Sequence, residues 1–228
     1  MLDRFSDPEC VFCAYNKGIE HKPEPATDLH KHIKLISGSE FLYRYLSQDL
    51  DVLGVYGGFR TDYLRRIGGI KQLGDGFGPY SDTLLAIRAG KLDKIGYIDT
   101  PLVFFRTHDQ SISFTSPEVT SYTSAQMDLI STCNEIFMDK RLSKHFRRNM
   151  FLLLMWCSRD IYTVLRRNSF FWPRGIIDHL KVLLKSAEGI GFYFISLISF
   201  NIWCASKYIA GSLLRGIKRY VHVRGENS

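Results

Sequence analysis

The stretch "GPYSDTLLAIRAG" (residues 78–90) sets one carboxylate, Asp82, between a turn and an apolar helix. With Ser81 as N-cap, Asp82 takes the first helical position, where the backbone aims it at the helix mouth rather than at the core. The positive end of the helix holds such a group ionised. A carboxylate there is placed to accept a proton from a hydroxyl within hydrogen-bond reach, the work of a general base. The same placement also suits a plain helix-dipole partner, because acidic residues are common in first turns. Arg106 and His108 share a parity with Leu102 and Phe104 on the last strand, so a cation and an imidazole face the same way. An ordinary strand-end ion pair and a loop histidine bonded to backbone would use the same residues. "LGDGFGPY" (73–80) carries three glycines and a proline, a flexible connection on which Tyr80 is placed to stack on a ring face. A merely tight connection reads equally well, and no G-K-[ST] follows to make it a phosphate loop.

The cysteines bring less chemistry. Cys10, Cys13, Cys133, Cys157 and Cys204 are five, without regular spacing, which argues for free thiols in a reducing compartment. Cys10 and Cys13 form a single C-x-x-C on a strand-like run, where positions i and i+3 point to opposite faces and do not share a zinc ion.

The elements that must position these residues follow from pattern. "ECVFCAY" (9–15) reads as a buried strand, and "NKGIEHKPEPATDLHKH" (16–32) as a polar loop with two prolines. Residues 37–49 suit an amphipathic helix with Phe41, Leu42, Tyr45 and Leu46 on one side. "VLGVYGGFR" (52–60) reads as a strand entering a glycine turn. A two-turn helix over 61–69 has Thr61 as N-cap and Gly68-Gly69 as stop, and one over 81–90 has Gly90 beyond its end. "KIGYID" and "PLVFFRT" are two strands divided at Thr100-Pro101. From Ser116 the pattern turns helical, with Pro117 in a first-turn position.

Charge divides the chain as well. The net charge of +7 is uneven: residues 1–140 hold 15 Lys/Arg against 19 Asp/Glu, and residues 141–228 hold 15 against four. With 45% hydrophobic and 14% aromatic residues the chain can bury a sizeable core, and it is neither disordered nor repetitive. "MLDRFSDPEC" carries charge at once and has no apolar leader pattern.

From Gly54 to Ser113 the order of elements resembles the C-terminal half of the catalytic domain of family 2 glycosyltransferases, inverting enzymes of the GT-A fold. The matching residues are Ile67-Gly68-Gly69, Ser81-Asp82, Arg88-Ala89-Gly90, and Phe105-Arg106-Thr107-His108 with Ser111 and Ser113. The family's acidic pair, usually Glu-Asp, is Ser81-Asp82 here, so only the second carboxylate is kept. The resemblance implies an α/β fold: a partial GT-A (Rossmann-like) domain over 1–115, acceptor-side, followed by a basic α-helical region over 116–228. It implies Asp82 as catalytic base, Tyr80, Arg88 and Arg106 as substrate-binding residues, and His108 as a ligand of a divalent metal (Mn or Mg). Nothing upstream resembles the nucleotide-binding half with its Asp-x-Asp motif, and Asp49-Leu50-Asp51 lies downstream of that motif's place. The expectation is a C-terminal fragment, or a chain started at an internal Met.

Between Glu188 and Lys207 lie 18 uncharged residues, the lower limit for crossing a bilayer. Asn201 and the small polar residues make them a poor span, whereas basic flanks with Phe, Trp and Ile suit the interface of an anionic membrane. Packing of these helices on one another, with the basic residues as a solvated face, is the plainer alternative. No nucleic-acid motif accompanies the charge. The functional expectation is transfer of a sugar from a nucleotide-sugar donor to a glycan or lipid-linked acceptor, in bacterial surface-polysaccharide assembly. Its place is the cytoplasm, peripheral at the inner face of the membrane. The alternative is a non-catalytic remnant, or a membrane-bound interaction module lacking the donor site.

Overall fold

A computed structural model describes residues 8–18, 33–50, 52, 54, 57–74, 79–106, 119–167, 179–181, 184 and 195–207. The chain is mixed α/β. Strands β1 (Cys10–Gly18), β2 (Ile33–Ile36), β3 (Gly57–Phe59) and β4 (Ile95–Arg106) form one sheet in the order β2-β4-β1-β3. β1 runs parallel to β4, and the outer strands β3 and β2 are antiparallel to their neighbours. Helix α1 (Gly38–Leu46) follows β2, α2 (Thr61–Arg66) follows β3, and α3 (Ser81–Ala89) precedes β4. Two long helices come after the sheet, α4 (Val119–Phe137) and α5 (Phe146–Arg167), joined by a short 3-10 turn at Ser143–His145. Residues 195–207 form a further helix.

Local chemistry explains most of these boundaries. Ser37 caps α1, its Oγ accepting from Glu40 N at 3.2 Å, and α1 buries Phe41, Leu42 and Leu46 as expected. Gly68 and Gly69 end the α2 turn with φ of 77° and 69°, a region that costs a side chain energy but not glycine. Three expected ends shift by one residue. The cap of α2 is Arg60 rather than Thr61, that of α3 is Tyr80 rather than Ser81, and Gly90 is the right-handed last cap of α3 rather than a residue beyond it. Of the strand expected over 52–60, the described residues show the three of β3, and β1 runs on through 16–18, which were expected to open a loop.

The two strands expected on either side of Thr100-Pro101 are one, β4. The register against β1 slips between Cys13 and Tyr15, where Ala14 faces Pro101 and Tyr15 faces Val103. This bulge absorbs the proline. On the other side, among the described residues, β2 pairs with 95–98.

The core lies in two layers. Cys10, Phe12, Ile95 and Tyr97 on one sheet face pack against Phe41, Ala86 and Ala89 of α1 and α3. Cys13 is on the other face with Val11 and Ile98, so the two C-x-x-C thiols do point apart. The largest apolar cluster joins Leu42, Leu46, Leu84 and Ile87 to Leu129, Phe137, Leu153 and Leu154, and reaches Leu197 and Cys204. One core therefore runs across residue 116, where the sequence pattern changes. Among the described residues no helix is long and apolar enough to cross a membrane. Pro117 and the helix start near Trp172-Pro173 lie outside the described residues.

Candidate functional site

Asp82 stands half-buried in the first turn of α3, its Oδ1 accepting from Thr83 N at 2.8 Å. Two features hold it there. A Cβ built on Gly54 would lie 1.8 Å from the Asp82 carbonyl oxygen, so only glycine lets the incoming chain pass under this turn. Tyr80 takes φ of 72°, the left-handed region, which in a bulky residue stores strain and needs firm anchoring.

That anchor is a buried polar chain. Tyr80 Oη donates to Asp160 Oδ2 at 2.6 Å, and Gln126 Nε2 donates to Tyr80 Oη at 3.1 Å and to the Cys157 carbonyl at 2.9 Å. With its amide nitrogen committed, Gln126 presents Oε1 to His179 Nδ1 at 3.1 Å, which fixes the proton on Nδ1. His179 Nε2 faces Ser158 Oγ at 3.4 Å. One run of donors passes from His179 through Gln126 and Tyr80 to the Asp160 carboxylate, and the other Gln126 N–H goes to the Cys157 carbonyl. Burial and the Asp160 charge push the Tyr80 phenol well above its ordinary value, so it stays a neutral donor. Burial pulls the His179 imidazole down to about 4, so it is neutral at physiological pH.

The Tyr80 ring is 7% exposed and packs edge-on to Tyr122 and Trp156, at 6.0 and 5.3 Å between centroids. The expectation that it stacks on a sugar is therefore replaced: it is a core residue that fixes the backbone before Asp82. Beside Asp82 is Tyr45 of α1, whose hydroxyl bonds to Thr83. Burial first, and the Asp82 charge second, push its phenol well above its ordinary value. The charge of Tyr15 on β1 adds to the same effect.

Arg88 is not at that corner. It lies six residues along α3, about 9 Å of helix rise from Asp82, and donates to the Gly69 carbonyl at 2.9 Å. Arg106 ends β4, exposed and opposite Gly18 in register, three residues beyond the partner of Tyr15. His108 lies outside the described residues. Among the described residues no group of three His, Cys, Asp or Glu could hold a metal ion. All five cysteines are free and buried, and burial raises the thiols of Cys10, Cys13, Cys133, Cys157 and Cys204.

Sequence reasoning placed Asp82 and the glycine turn but missed Gly54, Gln126, Asp160 and His179 as its supports. Their partners are 28 to 80 residues away, and no local pattern marks such pairings. Compared with protein-family models, with curated proteins and with solved structures, the chain matches none.

Proposed function

We propose that this chain is the acceptor-side part of an inverting family 2 glycosyltransferase with a GT-A core, using a nucleotide-sugar donor and a glycan or lipid-linked acceptor in bacterial surface-polysaccharide assembly. One observation carries the reading: an anchored left-handed Tyr80 presents Asp82 at a helix mouth where the residue stays only partly buried. Asp82 accepts the acceptor hydroxyl proton as that oxygen bonds to the anomeric carbon. The bond from that carbon to the diphosphate oxygen breaks on the opposite side, and the nucleoside diphosphate leaves with its electron pair. Thr83 N–H holds Oδ1, and the second carboxylate oxygen takes the proton. The resemblance assigns Arg106, at the exposed end of β4, to the departing diphosphate, which a cation would stabilise. A divalent metal is expected from the resemblance, but the described residues offer no ligand set for it and no step is drawn through it.

The test is release of nucleoside diphosphate from a panel of nucleotide sugars by the protein isolated from its native cells. Asp82→Asn is expected to lower the rate about a hundredfold or more with the fold unchanged. A wild-type rate in that variant would sink the proposal.

A second reading, a membrane-surface module lacking the donor site, is favoured by helix 195–207. Ile195, Ile198, Ile202 and Trp203 are exposed along it, Ile202 at 65% and Trp203 at 51%, while Leu197, Asn201 and Cys204 face inward. Lys207 Nζ sits 4.0 Å over the Trp203 ring. An apolar stripe ending in Trp and Lys suits the headgroup boundary of an anionic leaflet, and supports a peripheral place at the inner face of the membrane in either reading. Calorimetry with nucleoside diphosphates and Mn²⁺ separates the two, since only the transferase needs a donor site.

A further inference from the structure

The far end of α3 opens into a cleft of about 920 Å³, a volume suited to a small-molecule ligand rather than to one ion. Six cationic side chains line it, Arg60, Arg66, Arg88, Lys91, Lys94 and Arg141, against three carboxylates, Glu9, Asp62 and Asp93. The carboxylates are spoken for by exposed pairs: Arg66 with Glu9, Arg60 with Asp62 at 3.4 Å, and Arg141 with Asp93 at 3.5 Å. Such solvent-exposed pairs hold their partners weakly, so an incoming anion of higher charge competes with them. Even with all three carboxylates in place, the lining keeps an excess of three positive charges.

A second observation points the same way. Tyr63 lines this cleft and is 2% exposed, yet its hydroxyl has no hydrogen-bond partner among the described residues. The Arg66 guanidinium lies 5.4 Å over its ring, and the charges of Glu9, Arg88 and Arg66 all act on its phenol. A sealed, unbonded hydroxyl is costly in a folded protein and calls for an acceptor. Burial raises this phenol, which keeps it a neutral O–H donor.

The cleft is also placed apart from Asp82. Glu9 precedes β1 and Asp93-Lys94 precede β4, so the cations gather at the N-terminal ends of the parallel pair. Asp82 is at the opposite end of α3.

We infer that this cleft binds a phosphate-bearing anion, with Arg60, Arg66, Arg88 and Lys94 as its cationic wall and the Tyr63 hydroxyl as a donor from the floor. The three guanidinium groups of this wall favour phosphate, whose tetrahedral oxygens accept their paired N–H donors. The cleft size suits a diphosphate or a phosphorylated small molecule, and a lipid headgroup carries the same chemistry. The inference does not rest on the transferase reading.

The test is titration of the full chain with inorganic pyrophosphate at moderate salt. Saturable binding is expected, weakened about tenfold or more in Arg60→Ser/Lys94→Ser, two exposed positions whose replacement spares the core. Tyr63→Phe is expected to weaken it severalfold with the cations intact. Lys144→Ser/Arg147→Ser, which removes the same charge from a separate exposed basic surface, is expected to leave it unchanged. Absence of saturable binding, or equal weakening by both double variants, overturns the site. Sedimentation with phosphatidylglycerol vesicles then tells the source. If the Arg60/Lys94 variant also loses vesicle binding the anion is a headgroup, and if it keeps vesicle binding while losing pyrophosphate the anion is a soluble phosphate.

Discussion

The two ends of α3 are built on different principles. At the Asp82 end, a left-handed tyrosine, a buried glutamine and a neutral histidine are linked by directed hydrogen bonds, and a glycine passes in van der Waals conflict with any side chain. At the Arg88 end, charged side chains meet in water-exposed pairs around an open cleft. The first arrangement fixes geometry, because each group has one place and an unmet partner is costly. The second leaves charge available to a ligand. Variants at the two ends should therefore separate stability from binding.

The sharpest break comes at Gly54. A valine there would put Cβ 1.8 Å from the Asp82 carbonyl, so either the chain at 54 or the first turn of α3 must move. Gly54→Val is expected to destabilise the fold by about 3 kcal/mol, read as a lowered midpoint in denaturant. An unchanged midpoint would mean that the two segments do not touch in solution, and the positioning of Asp82 would need another cause.

The histidine gives a pH signature that the exposed end lacks. His179 titrates near 6.5 when unfolded and about 4 when folded, so the unfolded chain takes up the proton first. Its contribution is complete above the unfolded value and is lost as the pH falls from 6.5 toward 4. Over that window stability should drop by about 3 kcal/mol, and His179→Gln should flatten the slope. Equal slopes in the two proteins would show that His179 is solvated.

Gln126→Leu probes the same chain at lower cost. It removes the donor to Tyr80 and to the Cys157 carbonyl, and the acceptor for His179. About 2 kcal/mol is expected, because the leucine recovers part of the loss by packing in an apolar cluster. A loss below a few tenths of a kcal/mol would mean that the three groups find other partners.

The same contrast explains what was legible in the sequence. β1, α1 and the glycine stop after α2 were readable because their signals are local: apolar runs, a serine before a helix, and paired glycines. Asp82 was readable for the same reason. Tyr80 was misread because its surroundings are glycine-rich, and nothing nearby shows that Tyr122, Trp156 and Asp160 return to enclose it. β4 was divided in two because Pro101 is a strand breaker locally, and only the register slip against β1, a partner about 85 residues away, keeps it within one strand. The cleft was invisible because its cations come from three separate stretches, 60–66, 88–94 and 141, each of which reads alone as a solvated surface.

The smallest effect on stability belongs at the cleft. Lys91 Nζ meets Asp139 Oδ2 at 3.1 Å, with side chains 45% and 25% exposed. The Asp139 carboxyl is held below its ordinary value first by the Arg141 N–H, which reaches Oδ1 at 3.1 Å, and only then by Lys91. Lys91→Ala leaves that first bond intact, so it should cost less than about 1 kcal/mol, whereas Asp139→Ala also unties the turn after α4 and should cost more. The contrast sharpens if binding is read on the same variant. Lys91 lines the cleft, so its removal should weaken pyrophosphate severalfold while the denaturant midpoint barely moves. A large stability loss with unchanged binding would reverse the assignment, making this end of α3 a structural clasp like the other.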